Sequence, residues 1–316
     1  MNDYLFPACP DMLQHIDVVQ ARFVLDFLTP CQVRPADFLG IGRSLRVAAR
    51  QLPGSRDAAA ARQWDALFQP ALSDDPVARR KFQKPAPGFV VTIPVAQEQL
   101  FDVGDRLDLP VLFLGAGIPL ILDFLRSLIQ LGRQGLVAGQ GCFDVTEVYS
   151  QGADQTEGLV WRQSDPLEPL PCAVQPLNWL LQKHCITRCL TVKYLTPTRL
   201  VVDGKPLRQP RFAQVFPFML RRVTSMLYTH GGVEVLNDPA QLFALVGELE
   251  VLDAQLHWHD WRSLPGRQEL MVGGFVGQMN IAGQVLEELY WVLAVASLLG
   301  IGKGASYGAG RFVLTP

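Results

Sequence analysis

One glycine word occurs twice in this chain, and it limits the fold more than any other feature. Gly135-Leu-Val-Ala-Gly139-Gln-Gly141-Cys-Phe143 and Gly304-Ala-Ser-Tyr-Gly308-Ala-Gly310-Arg-Phe312 both read GxxxGxGxF, 169 residues apart at all four matched positions. A word kept at one long offset points to a duplicated structural unit. The flanks agree. Residues 119–131 carry Leu120, Ile121, Phe124, Leu125, Leu128 and Ile129 at helical spacing, and 285–299 form a second helix-like apolar segment. After the glycines, 142–148 and 311–314 are rich in strand-forming residues. A helix, a glycine turn and a final strand make the closing third of a βαββαβ unit.

The expected fold is therefore α+β: two tandem ferredoxin-like (RRM-like, βαββαβ) domains with a C-terminal glycine-rich loop. In the first half, 22–28 reads as a strand, 44–52 as a helix, and 89–93 and 106–114 as the middle strands. In the second, 187–194 reads as a strand and 212–228 as a helix that Pro217 starts or kinks. Residues 245–258 and 269–280 form the middle pair. The acid- and proline-rich stretch 151–175 reads as a linker. The expected boundaries are 1–150, a linker 151–185, and 186–316.

Composition excludes several classes. Apolar residues at 49% with 18% charged residues suit a chain with a sizeable core rather than a disordered one. The longest apolar stretch, 290–301, is about a dozen residues, short of the ~20 needed to span a bilayer. The first basic residue is Arg22, so a signal-peptide flank is missing. A cytoplasmic protein is expected. The six cysteines, Cys9, Cys31, Cys142, Cys172, Cys185 and Cys189, form no CxxC and no zinc spacing with histidine. They read as free thiols, and neither metal nor cofactor is expected.

Net charge is −2, but the charges are segregated. Residues 186–232 hold eight basic residues against Asp203, 42–62 hold five arginines against Asp57, and Lys303 and Arg311 face no acid after residue 300. Acids gather in 141–170 and 233–260. That division suits a polyanion held on one face. The stretch 300–310 holds five glycines in eleven residues around Lys303, Ser306 and Tyr307. Such a backbone approaches a ligand closely and aims N–H groups at it, as a phosphate backbone requires. It is not a Walker A loop, because Gly304 rather than Ser or Thr follows Lys303. Nor is it a dinucleotide fingerprint, because it follows a helix and opens a strand.

Further words extend the pattern: Tyr194-Leu-Thr-Pro-Thr-Arg199-Leu, Leu220-Arg221-Arg222-Val, Leu256-His-Trp258-His-Asp-Trp-Arg262-Ser, Gly266-Arg-Gln268, and Val272-Gly-Gly274-Phe-Val-Gly277-Gln. With Leu299-Gly-Ile-Gly-Lys303-Gly-Ala-Ser-Tyr-Gly308-Ala-Gly310-Arg-Phe, their order and spacing resemble the precursor-crRNA processing endoribonucleases of CRISPR systems, within the repeat-associated mysterious protein (RAMP) superfamily. The resemblance covers about 187–316. It is looser in the first half, where Gly40-Ile-Gly42-Arg43-Ser-Leu45-Arg46 matches a glycine followed by a Leu-Arg motif. The chain departs from the family in lacking a cysteine cluster between Cys31 and Cys142, and in holding Ile301 where relatives often carry His.

The resemblance implies metal-independent RNA cleavage, in which the ribose 2′-OH attacks the adjacent phosphorus. Such a step needs a base near the 2′-OH, an acid for the leaving oxygen, and donors for the charged phosphorane. Five histidines are available, and the 28–44 loop, where the family's base is expected, has none. His15, with Tyr4 nearby, and His230 are the candidate catalytic residues; His184 falls in the linker. The candidate RNA-binding residues are Arg34, Arg43, Arg46, Arg199, Arg221, Arg222, His257, Arg262, Gly302, Lys303, Gly304, Ser306, Tyr307, Gly308 and Gly310. His259, Trp258 and Trp261 read as further RNA contacts or as hairpin surface and core. The expected partners are CRISPR repeat RNA or crRNA and other CRISPR effector or adaptation proteins, with no membrane. Two alternatives stay open: a non-catalytic RNA-binding subunit of an effector complex, and an enzyme for a small phosphorylated ligand.

Overall fold

The computed structural model describes residues 10–52, 64–82, 85–137, 139–182, 188–236, 238–262 and 271–316, and for Lys81, Gln182, Arg262, Met271 and Val272 the backbone alone. Tyr4, His184 and the word at 266–268 lie outside these residues.

The first half runs β1 (Asp17–Phe27), α1 (Ile41–Ala49), β2 (Phe89–Val91), β3 (Arg106–Leu114), α2 (Ile121–Gln134) and β4 (Phe143–Gln151). Its antiparallel sheet is ordered β2-β3-β1-β4. Alternate residues of β1, namely Val19, Ala21, Phe23, Leu25 and Phe27, join one core with Leu45 of α1 and Phe124 and Leu128 of α2. This is the period of two that a strand requires when one face is covered. Phe23, Phe89, Phe113 and Phe124 form the centre, with ring centroids 5.0–6.4 Å apart.

The stretch read as a linker is largely ordered structure. Glu157–Arg162 forms β5, which pairs with β4 at the sheet edge. Trp161 is buried, and its indole donates to the Pro166 carbonyl at 3.2 Å. Gln175–Pro176 pairs with the start of β1, and Leu177–Gln182 is a short helix.

The second half repeats the plan with β6 (Cys189–Thr198), α3 (Phe212–Gly231), β7 (Glu250–Arg262), β8 (Met271–Ala282), α4 (Leu286–Leu299) and β9 (Phe312–Thr315). The sheet is β7-β8-β6-β9, which is the order of the first half. Residues 245–247 are a correction. They end a helix, Ala240–Gly247, whose first amide, Ala240, donates to the Asp238 carboxylate at 2.8 Å. α3 continues through Pro217 rather than starting there, and Gly232 at φ +66° ends it in the left-handed region. α4 is apolar nearly all round because it is buried nearly all round. One described helical stretch, Gly115–Gln134, is long and apolar enough by composition to cross a membrane; half of it is buried and its apolar side packs on the first sheet.

The halves are joined by core rather than by a tether. Leu13, Ile16, Val18, Val90 and Leu114 of the first half belong to the second half's hydrophobic cluster. At this joint the chains approach too closely for side chains. A Cβ on Gly115, whose φ is +46°, would lie 2.0 Å from the His230 carbonyl oxygen. Gly115→Ala is expected to cost about 1–3 kcal/mol through clash and strain. Thermal unfolding checks it, and an unchanged Tm would contradict the close joint.

Candidate nucleic-acid interface

The glycine loop leaves α4 and enters β9. All five glycines take positive φ: Gly300 +64°, Gly302 +83°, Gly304 +85°, Gly308 +92° and Gly310 +61°. The need is steric. A Cβ on Gly302 would sit 2.5 Å from the Arg199 carbonyl oxygen, and one on Gly310 would sit 1.8 Å from that of Ile301. The loop is laced to the end of β6: the Lys303 amide donates to the Arg199 carbonyl at 3.2 Å and the Gly310 amide to that of Pro197 at 3.1 Å. Thr196 adds its hydroxyl, donating to the Gly308 carbonyl at 2.8 Å. Among the described residues, the amides of Gly302, Gly304, Ala305 and Ser306 meet no backbone acceptor. Lys303 and Gly304 are exposed. This end of the loop has the donors that an anion needs.

The other end of the loop turns inward, which corrects part of the expected RNA set. Ser306 is 4% exposed, and its hydroxyl accepts from Arg222 Nη2 at 3.0 Å. Arg222 is itself 8% exposed, so it reaches the loop from below and offers nothing to solvent. The Tyr307 ring lies on α1, where a Cβ at Gly42 would come within 2.2 Å of it, and meets the edge of Phe89 at 5.9 Å. Burial raises the Tyr307 pKa, against the charge of nearby Arg46. Gly308 is pressed against Ile93, and Gly310 is buried. Tyr307 and Gly308 fasten the second half to the first, while Ser306 and Gly310 are held within the second half by Arg222 and by Ile301 and Pro197.

The same contact brings the α1 arginines to the loop. Arg43 is exposed in the first turn, and Arg46 is half-buried beside Tyr307. Arg34 is spent locally: its guanidinium pairs with Asp37 at 3.3 Å and its amide donates to the same carboxylate at 2.8 Å. Arg199 is half-buried at the loop's edge. Arg221 does not join the set. It lies 4.9 Å over the Phe218 ring, in an apolar groove with Leu236 and Phe243. His257, His259 and Trp261 share one face of β7, and Trp261 packs on the first half's core. Trp258 points the other way, with its indole donating to Asp260 at 2.8 Å and Arg208 5.0 Å over its ring. Arg262 ends β7; its side chain lies outside the described atoms.

The two candidate bases meet in one cavity of about 260 Å³, lined also by Asp17, Gly115 and Pro119. They are not equivalent. His15 is exposed at the end of a 3₁₀ turn. His230 is 8% exposed, and its Nε2–H donates to the Ala86 carbonyl at 2.8 Å. Its Nδ1 faces Gly88, where a Cβ would lie 2.9 Å away. His230 is thus a bolt in the joint, which corrects its reading as a catalytic group. Nor does the cavity touch the glycine loop directly: Gly88, at one end of β2, meets His230, while Val91, at the other, meets Gly308. Three strand residues, about 10 Å, separate them.

Sequence reasoning missed a second cleft of about 290 Å³, between the first sheet's open face and the underside of the loop. Arg311 lines it, half-buried, with its pKa lowered by that burial. Arg22 lines it too, pairing with Asp108 at 3.0 Å and with Glu157, and lying 4.3 Å over the Tyr149 ring. The absence of an acid near Arg311 was the one available signal.

The fold is thus a tandem pair of ferredoxin-like halves, the second closed by a terminal glycine loop that also packs on the first. Residues 192–312, the greater part of the second half, match the family model described as CRISPR-associated endoribonuclease Cas6. Residues 51–171 match a second model, described as an N-terminal domain. Among solved structures, the chain is similar to the Cas6 (TTHB231) product complex at 19% identity and TM-score 0.53, covering 94% of this chain and 100% of that one. Thermus thermophilus Cas6 (TTHB231) gives 19% identity and TM-score 0.52, over 95% and 99%. A chain of the partial Cas6-RT-Cas1–Cas2 complex gives 12% identity and TM-score 0.57, covering 95% of this chain and 46% of that longer one. No curated protein matches.

The joint histidine generates a pH prediction. Burial, opposed by its bond to Ala86, lowers the His230 pKa below the ordinary 6.5. The unfolded chain then takes up a proton before the folded one does, so stability falls as pH drops below about 6.5 and levels off under the folded pKa. His230→Gln, which keeps a donor for Ala86, is expected to flatten that part of the Tm–pH curve. Parallel curves would contradict the assignment.

Proposed function

We propose that this chain binds CRISPR repeat RNA across the joint between its halves and cleaves precursor CRISPR RNA without a metal ion. The carrying observation is the glycine loop: the Gly302 and Gly304 amides without a backbone acceptor and exposed Lys303 at one end, and at the other Tyr307 anchored on α1 beside Arg46, with exposed Arg43 on the same helix. Backbone donors with cations at their rim suit a ribose–phosphate strand. In the reaction, a base takes the 2′-OH proton, the O2′–P bond forms, the P–O5′ bond breaks, and an acid protonates the leaving oxygen. The products are a 2′,3′-cyclic phosphate and a 5′-OH. We assign the base to His15, the exposed histidine of its cavity, and RNA contacts to Lys303, Gly302, Gly304, Arg43, Arg46 and Arg199, with His257 as an outer contact on β7. Much of the rate would come from holding the RNA in line. We place the protein in the cytoplasm. The likeness to a chain assembled with Cas1 and Cas2 supports other CRISPR proteins as partners.

A second reading has its own support. The 28–44 segment holds no histidine, His230 is sealed, and His15 lies a strand's length from the loop. These favour an RNA-holding subunit without cleavage. Repeat RNA incubated with the protein in EDTA decides between them. Cleavage to a cyclic phosphate that His15→Ala lowers by about 100-fold supports the enzyme, in line with general-base contributions. Tight binding with intact RNA supports the subunit. Either reading expects Lys303→Ala to reduce the salt dependence of log K by about 0.7, one phosphate's worth for a single strand.

A further inference from the structure

Arg222 is a buried cation without a buried anion. Its helix, α3, passes beneath the glycine loop, and the side chain is 8% exposed. Nη2 donates to Ser306 Oγ at 3.0 Å and to the Leu299 carbonyl at 3.4 Å. Its Nε is buried and meets no acceptor. Among the described residues no carboxylate lies within ion-pair distance of it. Burial lowers its pKa to about 10, which leaves it charged at neutral pH.

An unpaired buried charge is costly, and stability alone does not explain one. Both of its acceptors point to the loop: Leu299 ends α4 where the loop begins, and Ser306 lies in the 3₁₀ turn whose preceding residues, Lys303 and Gly304, are exposed. The amides of Gly304, Ala305 and Ser306 sit in the same turn with no backbone acceptor. A charge beneath such a turn acts through low-dielectric protein rather than through water, so its field at the loop surface is weakly screened.

We propose that Arg222 is a positioning residue for the bound phosphate: it fixes Ser306 from below and charges the loop, and its own charge is balanced only when RNA occupies the site. The proposal rests on the loop being the phosphate site, and adds that the loop's affinity is set from inside the protein as well as by Lys303. Arg222 makes no contact with RNA, which separates it from the exposed arginines of α1.

The test compares Arg222→Met, Arg222→Lys, Ser306→Ala and Lys303→Ala in the full chain, measuring repeat-RNA affinity and Tm together. Arg222→Met should weaken RNA binding by about tenfold or more, the scale of a charged hydrogen-bond partner, while Tm holds or rises because an unpaired buried charge has gone. Arg222→Lys, which keeps the charge, should stay within about threefold of wild type on the same scale. A merely structural arginine would instead lose affinity and Tm in step, and lysine would not rescue it. Lys303→Ala weakening binding while Arg222→Met leaves it unchanged would overturn this proposal alone. If Lys303→Ala were silent as well, the loop reading itself would fall. Should Arg222→Met not fold, Ser306→Ala decides: weaker binding at unchanged Tm supports the proposal, and wild-type binding overturns it.

Discussion

The structure depends on one steric constraint: a glycine-rich segment must pass through a gap too narrow for side chains. Gly302 and Gly310 let the loop close on the carbonyls of Arg199 and Ile301, and Gly308 lets it press against Ile93 of the other half. Tyr307 then lies on Gly42, where α1 has no side chain to oppose it. A segment that closes the second domain therefore also locks it to the first. At the far end of β2, Gly88, Gly115 and Gly117 admit His230 and its neighbours by the same rule.

This packing organises the electrostatics. The loop divides into an inner part, whose polar groups meet Arg222, Thr196 and the α1 surface, and an outer part, whose amides and Lys303 do not. Two arginines reach it from opposite sides, Arg46 of α1 beside Tyr307 and Arg222 from below at Ser306. Acid close to the loop's underside is already paired, Glu157 with Arg22, which also meets Asp108. A chain of net charge −2 can thus carry a local positive site.

Much of the fold was legible because duplication is legible. The glycine word lies between the closing helix and the closing strand of both halves, and the strand order β2-β3-β1-β4 recurs as β7-β8-β6-β9. β5 was not, because acids and prolines around Trp161 outweighed a short strand signal whose pairing depends on a sheet edge formed elsewhere. The site was legible in composition but not in orientation. Ser306, Tyr307 and Arg222 are polar residues in a polar motif, and only packing reveals that they face inward. Likewise Arg221 and Arg222 are adjacent in sequence, yet 100° of helix rotation sends one to an apolar groove and the other under the loop. His230 read as a candidate catalytic residue because the Ala86 carbonyl that holds it comes from the other half of the chain.

The central claim is that repeat RNA crosses the joint along the glycine loop and the start of α1. Photo-crosslinking of repeat RNA carrying thiouridine at successive positions, with the linked peptides read by mass spectrometry, tests it most directly. The account predicts that links fall in both 300–311 and 40–50, from nucleotides close together in the RNA. Links confined to the β4–β5 edge, or to one half of the chain alone, would contradict it.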